Sequence, residues 1–80
     1  MSRLYFHLYD GVDTLIDPDG IDVPYEEASS RALAEARALI ADEALRGRID
    51  LRQRIDVEDA AGRLLHSLSF YQAVEIIAPH

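Results

Sequence analysis

The stretch RLYFHLYDG, residues 3–11, alternates apolar side chains with polar or polar-tipped ones. Leu4, Phe6 and Leu8 would point to one side of an extended chain, and the residues between them to the other. This period of two, together with the aromatic content, predicts a β-strand with one buried face. The Asp10-Gly11 pair that follows is a strong turn signal, so we expect a hairpin with a second strand over 12–16.

Beyond this hairpin, the sequence predicts a turn and then a long helix. DPDG, residues 17–20, fits a type I turn that either ends the second strand or makes a bulged bend before Ile21 and Val23. Pro24 stands where a helix could begin, with Glu26 and Glu27 in its first turn. From 26 to 46, apolar residues recur at spacings of three and four, as on one stripe of a helix: Ala28, Ala32, Leu33, Ala36, Leu39, Ile40 and Ala44.

The second half of the chain predicts another hairpin. Residues 53–58 and 63–70 both alternate, and DAAG at 59–62 is a loop signal between them. The tail, 71–77, fits a short helix or a last strand, and we favour the helix. The predicted fold class is therefore α+β with the order ββαββ: a four-stranded antiparallel sheet, one long helix packed on one face, and a short C-terminal helix.

Composition limits the classes of function. Eighty residues predict a single domain over 1–80. Fifteen acidic residues against eight basic ones give a net charge of -7, which argues against nucleic acid as a partner. The chain has no cysteine, so it can form neither a disulfide nor a thiolate metal site. Since no apolar run is long enough for a bilayer, we expect a cytoplasmic protein with no membrane partner.

The acidic residues around the turn partly match a calcium loop. With Gly20 at the sixth position of such a loop, Asp17, Asp19 and Glu26 would occupy ligand positions. However, Leu15 would fall at the first ligand position, and the preceding segment alternates like a strand where a helix is required. We therefore interpret these carboxylates as turn and helix-start residues, and expect neither a metal nor a cofactor.

His7 and Asp10 are the candidate catalytic residues. His7 shares a predicted strand face with Tyr5 and Tyr9, and a histidine near a carboxylate and a hydroxyl could act as a general acid or base. Residues 7 and 10 of a straight strand point to opposite faces, however, and no nucleophile elbow or glycine-rich phosphate loop is present. A small enzyme centred on these two residues is the weaker hypothesis, and it predicts a pocket around them.

A protein-interaction module is the favoured hypothesis. One helix covers one side of a sheet, which leaves a face that we expect to carry Tyr5, His7, Tyr9, Arg54 and Leu65. Such a face is either an interface or simply solvated, and an open sheet edge is another way to bind a partner. The expected partner is a second copy of the chain, forming a homodimer, or another protein.

A nucleic-acid-associated protein is the alternative from another class. It would require a local basic patch on an acidic chain, formed by Arg46, Arg48, Arg52 and Arg54.

The opening segment also resembles a family of short bacterial proteins catalogued as a domain of unknown function. That family begins with an Arg-Tyr-Phe-Phe-His type segment followed by Asp-Gly, similar to residues 3–11 here. Further similar residues follow along nearly the whole chain: Asp17, Gly20, Pro24, Asp59, Gly62, Leu65 and Phe70. Leu4 departs from the family's usual aromatic. Tyr25 stands where an acidic residue that could cap the helix often follows the proline, which leaves the cap open and makes Asp22 a candidate substitute.

The resemblance implies an architecture and no activity, substrate or catalytic residue. At the level of fold, the order of elements is also similar to small antitoxin-like modules, which is analogy alone. A regulatory role of that kind therefore stands beside nucleic-acid association as an alternative.

Overall fold

The computed structural model describes residues 2–79 and shows an α+β fold with a five-stranded antiparallel sheet. The predicted long helix and short C-terminal helix are confirmed, but the predicted count of four strands and the order ββαββ are wrong, because the second strand is divided in two. The elements are β1 Ser2–Tyr9, β2 Thr14–Leu15, β3 Ile21–Val23, a 3-10 turn Tyr25–Glu27, α1 Ala28–Leu45, β4 Arg54–Glu58, β5 Leu64–Ser69 and α2 Phe70–Ala73.

The sheet is organised around β1. Its strand order is β2-β1-β4-β5, and β3 also pairs with β1. Leu8 of β1 lies opposite Leu15 of β2, and Leu4 of β1 lies opposite Ile21 of β3. Residues 16–20 therefore fill the interval that only residues 5–7 fill on β1. The DPDG segment makes this bulged excursion, which was one of the two outcomes that the sequence left open.

The core lies between one face of the sheet and α1. Leu4, Ile55 and Val57 are fully buried on the sheet side, as the alternation predicts. Ala32 and Ala36 are fully buried on the helix side, where their small side chains allow the helix to approach the strands closely. Because the sheet's inward face is built from β1 and β4, these two strands fix which side chains the outward face presents.

Both helix starts differ in detail from the sequence expectation. Pro24 precedes a 3-10 turn with Glu26 and Glu27 in it, and no side chain caps it. Asp22, the candidate substitute cap, instead pairs with Arg3 across the strands at 3.2 Å. At the other end, Ser69 caps α2 reciprocally with Gln72, so the helix begins at Phe70, inside the predicted last strand.

Phe70 turns inward and is fully buried. Within the described residues, no helix is both long and apolar enough to cross a bilayer.

Candidate interaction surface of the sheet

The face of the sheet opposite α1 carries most of the side chains predicted for it. Tyr5, His7 and Tyr9 of β1 lie opposite Glu58, Asp56 and Arg54 of β4, in that order. Because directly opposite residues in an antiparallel pair share a face, the six side chains form one surface, here called the open face. Sequence reasoning missed Asp56 and Glu58, although their alternation with Ile55 and Val57 was the signal that could have found them.

Leu65 was expected on the open face, and the structure places it elsewhere. A bulge between β4 and β5 sets Leu64 opposite Glu58 while His66 lies opposite Val57, so Leu65 is the extra residue. Leu65 packs against the core, whereas Leu64 is 56% exposed. The period of two holds on either side of the bulge, but it changes phase there.

At one end of the open face, the polar groups satisfy one another. The Arg54 guanidinium lies 4.3 Å from the centre of the Tyr9 ring, and its Nε is 3.1 Å from Asp56. The hydroxyl of Ser67 donates a hydrogen bond of 2.7 Å to the same Asp56 carboxylate. These contacts are partly exposed, so they contribute little stability, but they leave few polar groups free for a ligand.

His7 is almost buried, with 8% of its surface exposed. Its Nδ1 accepts a hydrogen bond of 3.0 Å from the Asp17 N–H, which requires the tautomer with its proton on Nε2. Nε2 lies 3.5 Å from the Glu58 carboxylate, and the Tyr5 ring lies nearly parallel to the imidazole at 6.3 Å. Through this hydrogen bond to Asp17, the imidazole holds the excursion of residues 16–20 against the open face.

Asp10, the expected carboxylate partner of His7, serves its own turn. Its Oδ1 accepts hydrogen bonds from the N–H groups of Asp13 at 2.8 Å and Val12 at 2.9 Å. These two bonds hold the pKa of the Asp10 carboxyl below its ordinary value. The structure thus brings His7 to Glu58 and Asp17, and leaves Asp10 in the β1–β2 loop.

Asp17 accepts a β1 hydrogen bond for which neither β2 nor β3 supplies a backbone partner. Its carboxylate accepts hydrogen bonds from the N–H groups of Phe6 at 3.2 Å, Asp19 at 3.2 Å and Gly20 at 3.1 Å. Burial works to raise the pKa of this carboxyl, but the three N–H donors outweigh it, so the pKa lies below its ordinary value. The side chain replaces the backbone carbonyl that an uninterrupted edge strand would offer to Phe6.

These bonds bear directly on the three candidate metal ligands. Asp17 binds backbone N–H groups, whereas the side chains of Asp19 and Glu26 are exposed. Across residues 2–79, no group of three or more histidine, aspartate or glutamate side chains has an arrangement that could hold a metal ion.

Gly20 closes the excursion tightly against β1. Its φ is +68°, and a Cβ atom at this position would lie 2.8 Å from the carbonyl oxygen of Leu4. Since contacts to backbone atoms cannot be relieved by a rotamer change, only glycine fits this position without a shift of β1.

The two edges of the sheet differ in continuity. On one side, β2 and β3 are two and three residues long and are separated by the excursion that contains Pro18. Leu15, Ile16 and Ile21 are exposed along this side, among the carboxylates of Asp13, Asp19 and Asp22. On the other side, β5 runs for six residues, LLHSLS, without a charge or a proline.

A groove of about 490 Å³ opens elsewhere, between the chain before β4 and the C-terminal segment. It is lined by Leu51, Tyr71, Val74, Glu75 and Ile76. The pocket expected around His7 and Asp10 is not this groove, since neither residue lines it.

Comparison with known proteins identifies a family. A family profile described as "Domain of unknown function (DUF6894)" matches residues 3–71, which confirms the resemblance stated from the sequence. Neither the curated proteins nor the solved structures provide a match to this chain.

Proposed function

We propose that this chain, which belongs to the DUF6894 family of domains of unknown function, is a protein-interaction module that binds its partner along the open edge of the sheet at β5. Binding is by addition of a strand: the partner's backbone pairs with the outer N–H and C=O groups of β5, and side chains on either face add selectivity. The proposed binding function is non-catalytic and requires neither a metal nor a cofactor.

The observation that carries the proposal is that β5 lacks most of the features that usually protect an edge strand. Natural sheets protect an edge by keeping it short, by breaking it, or by placing charges or proline on it. β5 has six residues, no charge and no proline, and none of its residues is buried. Its bulge at Leu65 lies near its start, so residues 66–69 pair with β4 in regular register. An edge of this kind is retained when something pairs with it, because an unpaired one invites aggregation.

The hydrogen bonds of His7 and Asp10 favour binding over catalysis. Nδ1 of His7 accepts a hydrogen bond from a backbone N–H, and Oδ1 of Asp10 accepts two others within its own turn. A general base needs a free lone pair within reach of its substrate. In the described state, Nδ1 of His7 offers none, and Asp10 lies in the β1–β2 loop, bound to its own turn instead of to His7.

The charge pattern also favours a protein over a nucleic acid. Of the four arginines that could form a basic patch, Arg46 pairs with Asp42, Arg52 with Asp50 and Arg54 with Asp56, at 3.0, 2.8 and 3.1 Å. Phosphate would have to compete with these carboxylates, on a chain of net charge -7. Arg48 adds a single positive charge.

The test is site-specific photo-crosslinking in cells that express the full chain. A photo-reactive phenylalanine analogue would replace Ser67 at the β5 edge or, as a matched control, Thr14 at the β2 edge. We expect protein adducts from position 67 and at most a trace from position 14. Absence of adducts from both positions, or adducts from position 14 alone, would reject β5 as the binding edge.

A second variant distinguishes the edge from the open face. Because Tyr5 and Tyr9 lie on the face and not at the β5 edge, changing both to Ser should leave the position-67 adducts in place. Loss of the adducts, with an unchanged circular dichroism spectrum, would transfer the binding site to the face.

A further inference from the structure

The burial of core-facing residues falls sharply between β4 and β5. Ile55 and Val57 of β4 are completely buried, whereas Leu68 and His66, which lie directly opposite them on β5, remain partly exposed. The two β4 residues and the two β5 residues lie on the same face of the sheet, beneath the same helix. They differ in position, because β4 has a strand on both sides and β5 has one on only one side. One more strand beside β5 would give Leu68 and His66 the neighbour that Ile55 and Val57 already have.

Charge narrows the class of strand that can fill this position. The chain carries a net charge of -7, so two copies repel one another over most of their surfaces. Such repulsion is smallest where uncharged segments meet, and β5 is uncharged along its whole length. The β2 and β3 edge would instead bring Asp13, Asp19 and Asp22 of one copy towards those of the other.

Symmetry supplies the remaining condition. Antiparallel pairing of two identical edge strands within one sheet requires a two-fold axis normal to the sheet, and this operation matches each face with itself. Core-facing residues of β5 then meet core-facing residues of the second copy, and both α1 helices lie on the same side. A second copy therefore carries the required apolar and polar alternation by construction, whereas an unrelated strand would have to match it.

From these observations we infer that the strand paired with β5 is β5 of a second copy of this chain. The pairing is antiparallel and centred near Ser67, and it joins the two five-stranded sheets into one continuous sheet of ten strands. This inference rests on the proposed function, because it assigns the partner of the same edge.

The absence of cysteine from the sequence allows a clean test. Ser67→Cys places a single thiol beside the predicted two-fold axis, where facing Cα atoms of an antiparallel pair lie within disulfide range. Thr14→Cys places a matched thiol on an exposed strand residue of the other edge. Both purified variants would be oxidised mildly and compared on a non-reducing gel, and the unmodified chain would be weighed by sedimentation.

We expect the unmodified chain to sediment at about 18 kDa, twice the 9.0 kDa of one copy. Ser67→Cys should form at least about tenfold more disulfide-linked dimer than Thr14→Cys, because random collisions link both variants alike.

A monomeric mass together with equal, low cross-linking of the two variants would overturn self-pairing. A dimer linked through position 14 and not 67 would overturn it as well. The proposed function is tested separately: position-67 photo-adducts with a different protein would sustain it even if self-pairing failed.

Discussion

The two edges of this sheet show that exposed apolar side chains and an available backbone are separate properties. The β2 and β3 edge exposes Leu15, Ile16 and Ile21, yet its backbone is broken by the excursion at 16–20. The β5 edge exposes fewer large apolar groups but is a single strand of six residues, whose bulge at Leu65 lies near its start. Strand addition depends on main-chain hydrogen bonds in register, so the continuous edge is the one suited to it.

The excursion that breaks the first edge is held by specific bonds. Asp17 supplies the carboxylate that the Phe6 N–H would otherwise lack, His7 accepts the Asp17 N–H, and Gly20 allows the close return to Leu4. If no specific contact held the interruption, many sequences could form it. Here three specific contacts hold the interruption, and each can be removed separately by mutation.

The largest effect is expected from Asp17→Ala. This change removes the acceptor for the N–H groups of Phe6, Asp19 and Gly20. Leaving partly buried donors unpaired should lower the free energy of unfolding by about 2–3 kcal/mol. Urea denaturation would measure it, with Asp19→Ala, at an exposed position, as the matched control. Similar losses in the two variants would mean that Asp17 does not hold the excursion.

Gly20→Ala should have the second-largest effect and lower the free energy of unfolding by about 2 kcal/mol. The change forces alanine into a strained φ and places a Cβ atom 2.8 Å from the Leu4 oxygen. Gly47 is the control, since its φ is +87° and nothing lies within 4 Å of the corresponding Cβ.

Gly47→Ala should therefore cost only the backbone strain, about 1 kcal/mol. The difference between the two variants in urea denaturation isolates the close approach of the excursion to β1. Equal losses would contradict that approach.

The sequence was sufficient to predict β1, α1, β4 and the antiparallel pairing, because their residues follow one period over many positions. It did not predict where that period shifts. The phase change at Leu65 depends on pairing with β4, and the division of the second strand depends on a carboxylate reaching Phe6 from eleven residues away. Such contacts leave no trace in local periodicity.

The start of α2 is a different case, because its signal was local. Ser69 and Gln72 form the Ser-x-x-Gln pattern of a capping box, and this pattern outweighs the alternation that continues to Phe70. For the candidate site, face alternation correctly placed Tyr5, His7, Tyr9 and Arg54. It could not show that His7 is bound to the excursion, since residues 7 and 17 meet only in the fold.

Acid pH should loosen the same edge by a smaller amount. The pKa of Asp17 is lowered in the folded chain, so its contribution is present above the unfolded value near 3.8 and is lost as the pH falls through the folded value. We expect the loss of stability below about pH 4 to be shallower in Asp17→Asn, as measured by urea denaturation at a series of pH values.

Glu35 provides a control of opposite sign. Burial raises the pKa of its carboxyl, so protonation of Glu35 favours the folded chain as the pH falls. Glu35→Gln should therefore make the acid loss steeper. A steeper loss in Asp17→Asn would contradict the hydrogen-bonding role assigned to Asp17.

The smallest effect is expected at the β2 and β3 edge, from Leu15→Lys. Leu15 is 59% exposed at the end of a strand of two residues, so the change should alter the free energy of unfolding by no more than about 0.5 kcal/mol. It should also leave the sedimentation mass unchanged, because the apolar side chain at this edge is not backed by a continuous backbone. If Leu15→Lys instead reduced a dimer to a monomer, then side-chain exposure, and not backbone continuity, would determine which edge binds.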